Sequence, residues 1–360
     1  MTLELRKISK NFGQFVAVRD VDLSVDAGEV VCLLGPSGCG KTTTLRMIAG
    51  LETPSSGDVL FADRNVTKLT AEQRNVAMVF QFYALYPALT VEENLAFPLY
   101  VERLSSADRR ARVMHAADIL QLHDVLDRKP SEIAEGEKQR VAVARAIIRE
   151  PNCFLFDEPL SRLDVELRES MRAQIKELLL GLSKPTVIVT HDQLEALTMA
   201  DRITIMRDGA IEQIGTPHEV FAKPDNVFVA SFIGTPQMNI LAVKLKESTD
   251  AETEFKLDGE TLKIAIGAQA TAGLVGNVTL GIRPRAFSLQ SEANDYSITA
   301  KSEIIEPMGA ETLIHARTGS DTEIRVVVPR ERRVQSGEVL HLIPNGEQTH
   351  LFNDHGKVVR

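Results

Sequence analysis

Short apolar runs and longer periodic stretches alternate through the first two-thirds of the chain. Val30-Val31-Cys32-Leu33-Leu34 is a continuous apolar run of strand length, and Val76–Phe80, Cys153–Phe156 and Thr186–Thr190 repeat the pattern. Runs without polar alternation belong to strands covered on both faces, as in a parallel sheet between helices. Thr44–Ala49 reads as a short helix closed by Gly50. Leu163, Leu167, Met171, Ile175 and Leu179 recur at i, i+4 and mark one face of a longer helix. From Thr90 to about Glu150 the texture is helical. Ser105–Asp108 supplies an N-terminal cap for a helix carrying Val113, Ala117 and Leu120, and Pro130 interrupts before a helix from Glu137 to Ile148. The basic face of that helix (Lys138, Arg140, Arg145) reads as a solvated surface. Strand-like segments lie at Leu3–Leu5, Val16–Val25 and Val59–Phe61, and Leu194–Ala200 is a short helix. Asp208-Gly209 joins Ile203–Met206 to Ala210–Glu212 as a hairpin. Strands alternating with helices predict an α/β domain with a mostly parallel sheet.

After Phe232-Ile233-Gly234-Thr235-Pro236 the pattern changes. Asp258-Gly259 sits between Phe255–Leu257 and Thr261–Ile264 as a hairpin turn, and strand-like pieces follow at Val278–Ile282, Ile298–Ile305, Thr312–Ala316, Glu323–Val328 and Val339–Ile343. Short strands with Gly/Pro turns and no evident helix predict a small all-β barrel. The expected domains are 1–235, with a helical subdomain at about 88–150, and 236–360.

Composition narrows the partners. A chain of 360 residues favours two domains, and 44% hydrophobic with 25% charged residues is ordinary for a globular protein. A net charge of −9 argues against a general nucleic-acid-binding surface. No apolar run approaches the about 18 residues of a membrane span, and the first residues carry no apolar signal core. Three cysteines, Cys32, Cys39 and Cys153, give neither paired spacing nor a metal framework and suit a reducing cytosol.

The chemistry is concentrated in Gly35-Pro36-Ser37-Gly38-Cys39-Gly40-Lys41-Thr42-Thr43. It follows a predicted strand, opens a predicted helix and fits the phosphate-cradling pattern G-x-x-x-x-G-K-[S/T]. Glycines let backbone N–H groups approach phosphate oxygens without a Cβ in the way. Lys41 adds a cationic point charge, Thr42 a hydroxyl ligand for Mg²⁺, and the helix N-terminus favours an anion. The buried run ending at Phe156 leads into two acids, Asp157 and Glu158, and the run ending at Thr190 leads into His191. Phe12 beside Gly13 is either a stacking surface for a base or a core residue.

With the phosphate loop and the acidic strand end together, residues 3–235 resemble the ATP-binding subunits of ABC transporters. The resemblance implies a P-loop NTPase (RecA-like) core with a helical subdomain, and ATP and Mg²⁺ as cofactors. Phe12 matches the adenine-stacking position, and Gln81 in Val79–Pro87 the glutamine that reaches Mg²⁺ and the attacking water. Asp157 matches the Mg²⁺-organising carboxylate, Glu158 the general base, and His191 the histidine at the γ-phosphate. Asp164 ends Leu160-Ser161-Arg162-Leu163-Asp164, which matches the loop crossing the dimer interface. Hydrolysis requires neutralised charge at the γ-phosphoryl group and an in-line water. Lys41, Mg²⁺ and His191 supply the first in this reading; Glu158 and Gln81 supply the second.

One motif departs from the family pattern. Where Leu-Ser-Gly-Gly-Gln is expected, the chain reads Ile133-Ala134-Glu135-Gly136-Glu137. Gly136 keeps the small residue whose N–H approaches a γ-phosphate of the facing subunit. Ala134 lacks the serine hydroxyl, and Glu135 pointing inward would cost about 3–4 kcal/mol in repulsion. Two expectations follow: a loop that tolerates the change, or a subunit paired with a different ATPase and supplying the weaker half of one site.

Tyr83–Pro87, Thr190–Leu197, Phe232–Asn239 and Gly281-Ile282-Arg283-Pro284 resemble the ATPases of carbohydrate importers of the maltose and glycerol-3-phosphate type. That resemblance implies an oligonucleotide-binding-fold regulatory domain at the C-terminus, although Arg285 stands where the family usually has Glu. It also implies two membrane-spanning permease subunits, an extracytoplasmic solute-binding protein, a second ATPase subunit and a peripheral position on the cytoplasmic face of the inner membrane. Phe82, Tyr83, Leu85 and Tyr86 are candidates for permease contact. The alternatives are a low-turnover regulatory nucleotide-binding partner and a soluble ABC ATPase acting on ribosomes or nucleic acid.

Overall fold

The computed structural model describes residues 2–181 and 183–359. It divides into two compact units, Met1–Pro217 and His218–Arg360. The sequence pattern puts the change near residue 235; the division falls earlier because two short helices, unrecognised in the sequence, cluster with the later strands.

The first unit begins with β1 (Leu3–Phe12), β2 (Phe15–Val25), β3 (Val30–Leu34), α1 (Lys41–Ala49), β4 (Ser56–Phe61) and β5 (Arg64–Asn65). It continues with α2 (Ala71–Arg74), β6 (Val76–Val79), α3 (Val91–Ala96), α4 (Ser106–Ile119), α5 (Glu135–Ile147) and β7 (Cys153–Asp157). It closes with α6 (Val165–Leu180), β8 (Thr186–Thr190), α7 (Gln193–Met199), β9 (Arg202–Arg207) and β10 (Ala210–Gly215). The central sheet has the order β10-β9-β3-β8-β7-β6, parallel from β9 to β6 with β10 antiparallel at the edge. A smaller antiparallel sheet runs β2-β1-β4-β5.

Alternation along the buried strands serves two cores. Phe154, Phe156 and Ile188 pack with residues of α3 to α6. Cys153, Leu155, Val187 and Val189 pack on the other side with Leu45, Met47 and Ile48 of α1 and with Leu3 and Leu5 of β1. This two-sided burial is why these strands read as unbroken apolar runs. Ser105 caps α4 as expected, its hydroxyl accepting from Asp108 N at 3.1 Å.

The second unit contains α8 (Pro217–Ala222), whose first residue falls in the first unit, and α9 (Val227–Phe232). Its strands are β11 (Asn239–Ser248), β12 (Thr253–Leu257), β13 (Glu260–Ile264), β14 (Asn277–Ile282), β15 (Phe287–Gln290) and β16 (Ile298–Pro307). They continue as β17 (Glu311–Thr318), β18 (Glu323–Pro329), β19 (Val339–Pro344), β20 (Thr349–Phe352) and β21 (Val358–Val359). Two antiparallel sheets, β13-β12-β11-β14-β20-β21 and β15-β19-β16-β17-β18, share one apolar core. Asp258 (φ 52°) and Gly259 (φ 94°) form the left-handed hairpin turn that Asp-Gly predicts. The all-β reading therefore holds, with α8 and α9 added in front of it.

The helix after the phosphate-type loop is held at both ends. Gly40 (φ 99°) starts α1, and a Cβ there would come within 2.5 Å of Ala17 O, so the tight entry requires glycine. At the other end Arg74, 1% exposed, donates to Met47 O (2.5 Å), Ile48 O (2.8 Å), Thr67 O (2.9 Å) and Leu69 O (3.0 Å). Burial pushes this guanidinium below its ordinary pKa, yet four carbonyls, two from the last turn of α1, depend on it. Arg74→Met is expected to lower unfolding free energy by about 3 kcal/mol, since it strands buried carbonyls. Urea denaturation monitored by far-UV circular dichroism checks this; an unchanged midpoint would refute the role.

Candidate functional site

Parallel register brings three loops to one edge of the sheet. Leu34 pairs with Thr190, and Val189 with Asp157, so β3, β8 and β7 end level. Their extensions are the glycine loop, the Asp157-Glu158 pair and His191. Ligand sites form at such carboxyl ends of parallel strands.

In the loop, Lys41 is buried and its ammonium donates to Gly35 O at 2.7 Å and Pro36 O at 2.9 Å. Gly38 (φ 79°) takes the left-handed conformation, and a Cβ on Gly35 would strike Met206 O. Cys39 is buried beside Lys41, with burial raising its thiol pKa, so it stays protonated and fills the loop's interior. Ser37, Gly38, Gly40, Lys41, Thr42 and Thr43 line a cleft of about 320 Å³ with Phe12, Phe15, Ala17 and Glu158. A larger cleft of about 720 Å³, lined by Arg112, His115, Gln174 and Glu177 among others, contains none of the motif residues.

Thr42 Oγ1 donates to Asp157 Oδ1 at 3.2 Å. Burial raises the Asp157 pKa, opposed by the Thr42 hydroxyl. A hydroxyl beside a buried carboxylate is a hard oxygen pair, a donor set that fits Mg²⁺ shared with phosphates. No group of three or more His, Cys, Asp or Glu among the described residues suits a metal without such help.

Glu158 is held from two sides. Its Oε2 accepts from Gln81 Nε2 at 3.0 Å, and its Oε1 lies 3.2 Å from His191 Nδ1. Glu158 itself is left-handed (φ 48°), a conformation uncommon for a residue with a Cβ and concentrated where a side chain must be aimed. Ser161, read in the sequence only as part of the Leu160–Asp164 loop, accepts from Gln81 Nε2 at 3.3 Å and donates to Glu158 O at 3.0 Å. Glu195 is 3% exposed and accepts from Thr190 Oγ1 at 2.6 Å. The same hydroxyl accepts from Asp192 N at 3.0 Å, so a buried acid fixes the turn carrying His191. The Thr190–Leu197 resemblance includes Glu195 but assigns it no role; the further signal is an acid on the apolar side of a short helix.

Phe12 and Phe15 line the same cleft as the phosphate-type loop. Asp164, Gly136 and Ala134 are among the predicted residues that do not line this cleft. Asp164 caps α6, accepting from Leu167 N at 2.9 Å. Gly136 lies against Leu167, whose methyls would crowd a Cβ within 2.8–2.9 Å. Ala134 is the N-cap of α5, where its N–H donates to Glu137 Oε2 at 2.7 Å in place of a side-chain cap. Glu135 pairs with Lys138 on its own helix at 2.7 Å. That lysine, followed by the Tyr83 phenol, holds the Glu135 carboxyl below its ordinary pKa. The Tyr83 hydroxyl, pushed up to about 12 by burial and next by Glu135, faces this carboxylate.

Residues 18–161 match the family model described as ABC transporter, and residues 280–352 match the TOBE domain. The chain is 43% identical to the sulfoquinovosyl glycerol transport ATP-binding protein SmoE of Agrobacterium fabrum, over 98% of this chain and 97% of that protein. It is 44% identical to the sn-glycerol-3-phosphate import ATP-binding protein UgpC of Salmonella typhimurium, again over 98% and 97%. Among solved structures, the ATP-binding cassette MJ0796, dimeric and bound to ADP and Pi in a post-hydrolysis state, aligns with a TM-score of 0.54 at 30% identity. That alignment covers 60% of this chain and 98% of the other.

Burial is the leading cause of the raised Glu195 pKa, opposed by the Thr190 hydroxyl. A carboxyl raised on folding costs stability above its folded pKa, and that cost disappears below its unfolded value. Glu195→Gln, which keeps an acceptor for Thr190, should therefore be more stable than the parent at pH 8, with the gap closing as pH falls into the carboxylate range. Urea midpoints across pH 3–8 test this; a gap that stays constant would contradict it.

Proposed function

Because the chain belongs to the ATP-binding subunits of ABC transporters, we propose that it hydrolyses ATP to drive import of a carbohydrate, polyol or glycerol-phosphate-type solute. The single observation that carries the hydrolytic reading is the Glu158 carboxylate held between Gln81 and His191 beside the phosphate-type loop. The names of the relatives, glycerol-3-phosphate and sulfoquinovosyl glycerol transport proteins, support the solute class.

In this reading the triphosphate lies along Gly35–Thr43. Lys41 swings its ammonium from the loop carbonyls to the phosphate oxygens, supplying charge where it accumulates in phosphoryl transfer. Thr42 and Asp157 would hold Mg²⁺, which would supply neutralisation of phosphate charge when bound. Glu158 accepts the proton of the attacking water, Gln81 orients that water and His191 donates to the γ-phosphoryl oxygen. Phe12 stacks on the adenine.

No helix among the described residues is long and apolar enough to cross a membrane. The transport role therefore calls for two membrane-spanning permease subunits, and an extracytoplasmic solute-binding protein completes the importer. The chain then works as a peripheral subunit at the cytoplasmic face. Exposed Phe82 and Tyr86, with Arg162 stacked 4.1 Å from the Phe82 ring centroid and Arg145 5.5 Å from that of Tyr86, offer an aromatic surface for permease contact. The domains keep their roles as ATP-binding and regulatory, and Arg285, bonded to Glu311 at 2.6 Å, makes an internal contact.

Two ATP-binding subunits face each other in this assembly, with Ala134–Glu137 of one closing the site of the other and Asp164 near the interface. The Glu135–Lys138 pair favours tolerance of the altered signature, because the carboxylate is neutralised within its own helix. A second copy of this chain suffices as partner.

Glu158→Gln should cut ATP turnover of the assembled transporter by about 10²–10⁴-fold while ATP binding persists. Phosphate release paired with equilibrium binding checks this, and retained turnover would contradict the base assignment. Glu135→Gly combined with Ala134→Ser should shift turnover by less than about fivefold, since an exposed ion pair contributes little. A larger rise would favour the impaired signature and a different ATPase as partner.

A further inference from the structure

The cleft has a second aromatic wall that the ATP motifs do not account for. Phe15 opens β2 and pairs across the ladder with Phe12, the last residue of β1, with only Gly13 and Gln14 between them. Gly13 takes φ 60°, which allows so tight a turn. Directly paired residues of antiparallel strands project from the same face, with Cβ atoms about 5 Å apart. Both rings accordingly line the cleft that contains Lys41, Thr42 and Glu158.

The two rings differ in their support. Lys10 Nζ lies 4.9 Å from the Phe12 ring centroid and is anchored by Glu52 at 2.6 Å and Thr53 O at 2.8 Å. Phe12 is thus backed by a fixed cation and remains 49% exposed. Phe15 is 62% exposed, whereas Ala17 and Val18 just beyond it are buried. A phenylalanine left this open contributes little to folding, and its apolar surface is available for a flat ligand.

We propose that Phe15 is a second base-gripping residue, forming with Phe12 a two-ring shelf for the purine of the bound nucleotide. The proposal rests on the reading of this cleft as the ATP site. Stacking depends on the π-face shared by all bases and contributes substantially per base when tested by alanine substitution. Phe12 with Lys10 behind it sets the plane of the shelf, and Phe15 widens it toward the open side of the cleft. The grip is on the base alone; the phosphates are held by a separate loop.

That separation gives the test. The full-length chain, its Phe15→Ala variant and its Phe15→Tyr variant are titrated calorimetrically with Mg·ADP and, separately, with Mg·pyrophosphate, which has phosphates but no base. Phe15→Ala is expected to weaken ADP binding by about fivefold or more and to leave pyrophosphate binding unchanged, while Phe15→Tyr retains parent affinity for both. Unchanged ADP affinity in Phe15→Ala overturns the proposal. Equal losses for ADP and pyrophosphate also overturn it, because they mean the hairpin shapes the loop without touching the base. A parent chain that binds neither ligand overturns the nucleotide reading itself, and the role of Phe15 with it.

Discussion

Leu34 opposite Thr190 and Asp157 opposite Val189 set the register on which the site depends. Shifting either pairing by one residue would exchange the faces of β3, β7 or β8 and bury their side chains in the wrong core. The two cores prevent that slip: Phe154 and Phe156 fit the helices of one face, and Cys153 and Leu155 fit α1 and β1 on the other. Packing along the strands therefore fixes the height at which Gly35, Glu158 and His191 emerge. Residues more than a hundred positions apart in sequence meet because three short strands stop level.

The site itself is built from conflicts that the fold sustains. Asp157 and Glu195 are buried acids with raised pKa values, each relieved in part by one threonine hydroxyl. Glu158 takes a left-handed backbone to aim its carboxylate at Gln81 and His191. Such features weaken a fold unless its framework is rigid. Arg74 supplies part of that rigidity by closing the last turn of α1 against the Thr67–Leu69 loop.

Much of this was legible in sequence, for identifiable reasons. Val30–Leu34 and Cys153–Asp157 are buried on both faces, so composition alone marked them as strands. The glycine loop was legible because left-handed and close-approach positions admit few other residues. The sugar-importer resemblance was visible from several motifs and agrees with the relatives found. Less visible were α8, α9 and β11: two are six-residue helices, and β11 mixes lysines with apolar residues on a half-exposed strand. Phe15 was hidden because an apolar residue at a strand start is unremarkable until its exposure is known. The effect of Glu135 was hidden too: an acid in place of glycine signals repulsion, but its pairing with Lys138 depends on helix geometry.

The central claim is that these loops make one half of an ATP-hydrolysing site that a facing subunit completes. The most direct measurement is ATP turnover per subunit, in the presence of Mg²⁺, as a function of protein concentration. The account predicts ADP and phosphate as products and a specific activity that rises with concentration as subunits pair, then levels off. Turnover per subunit that is constant from the most dilute sample upward, or no hydrolysis at any concentration even with permeases present, would contradict it.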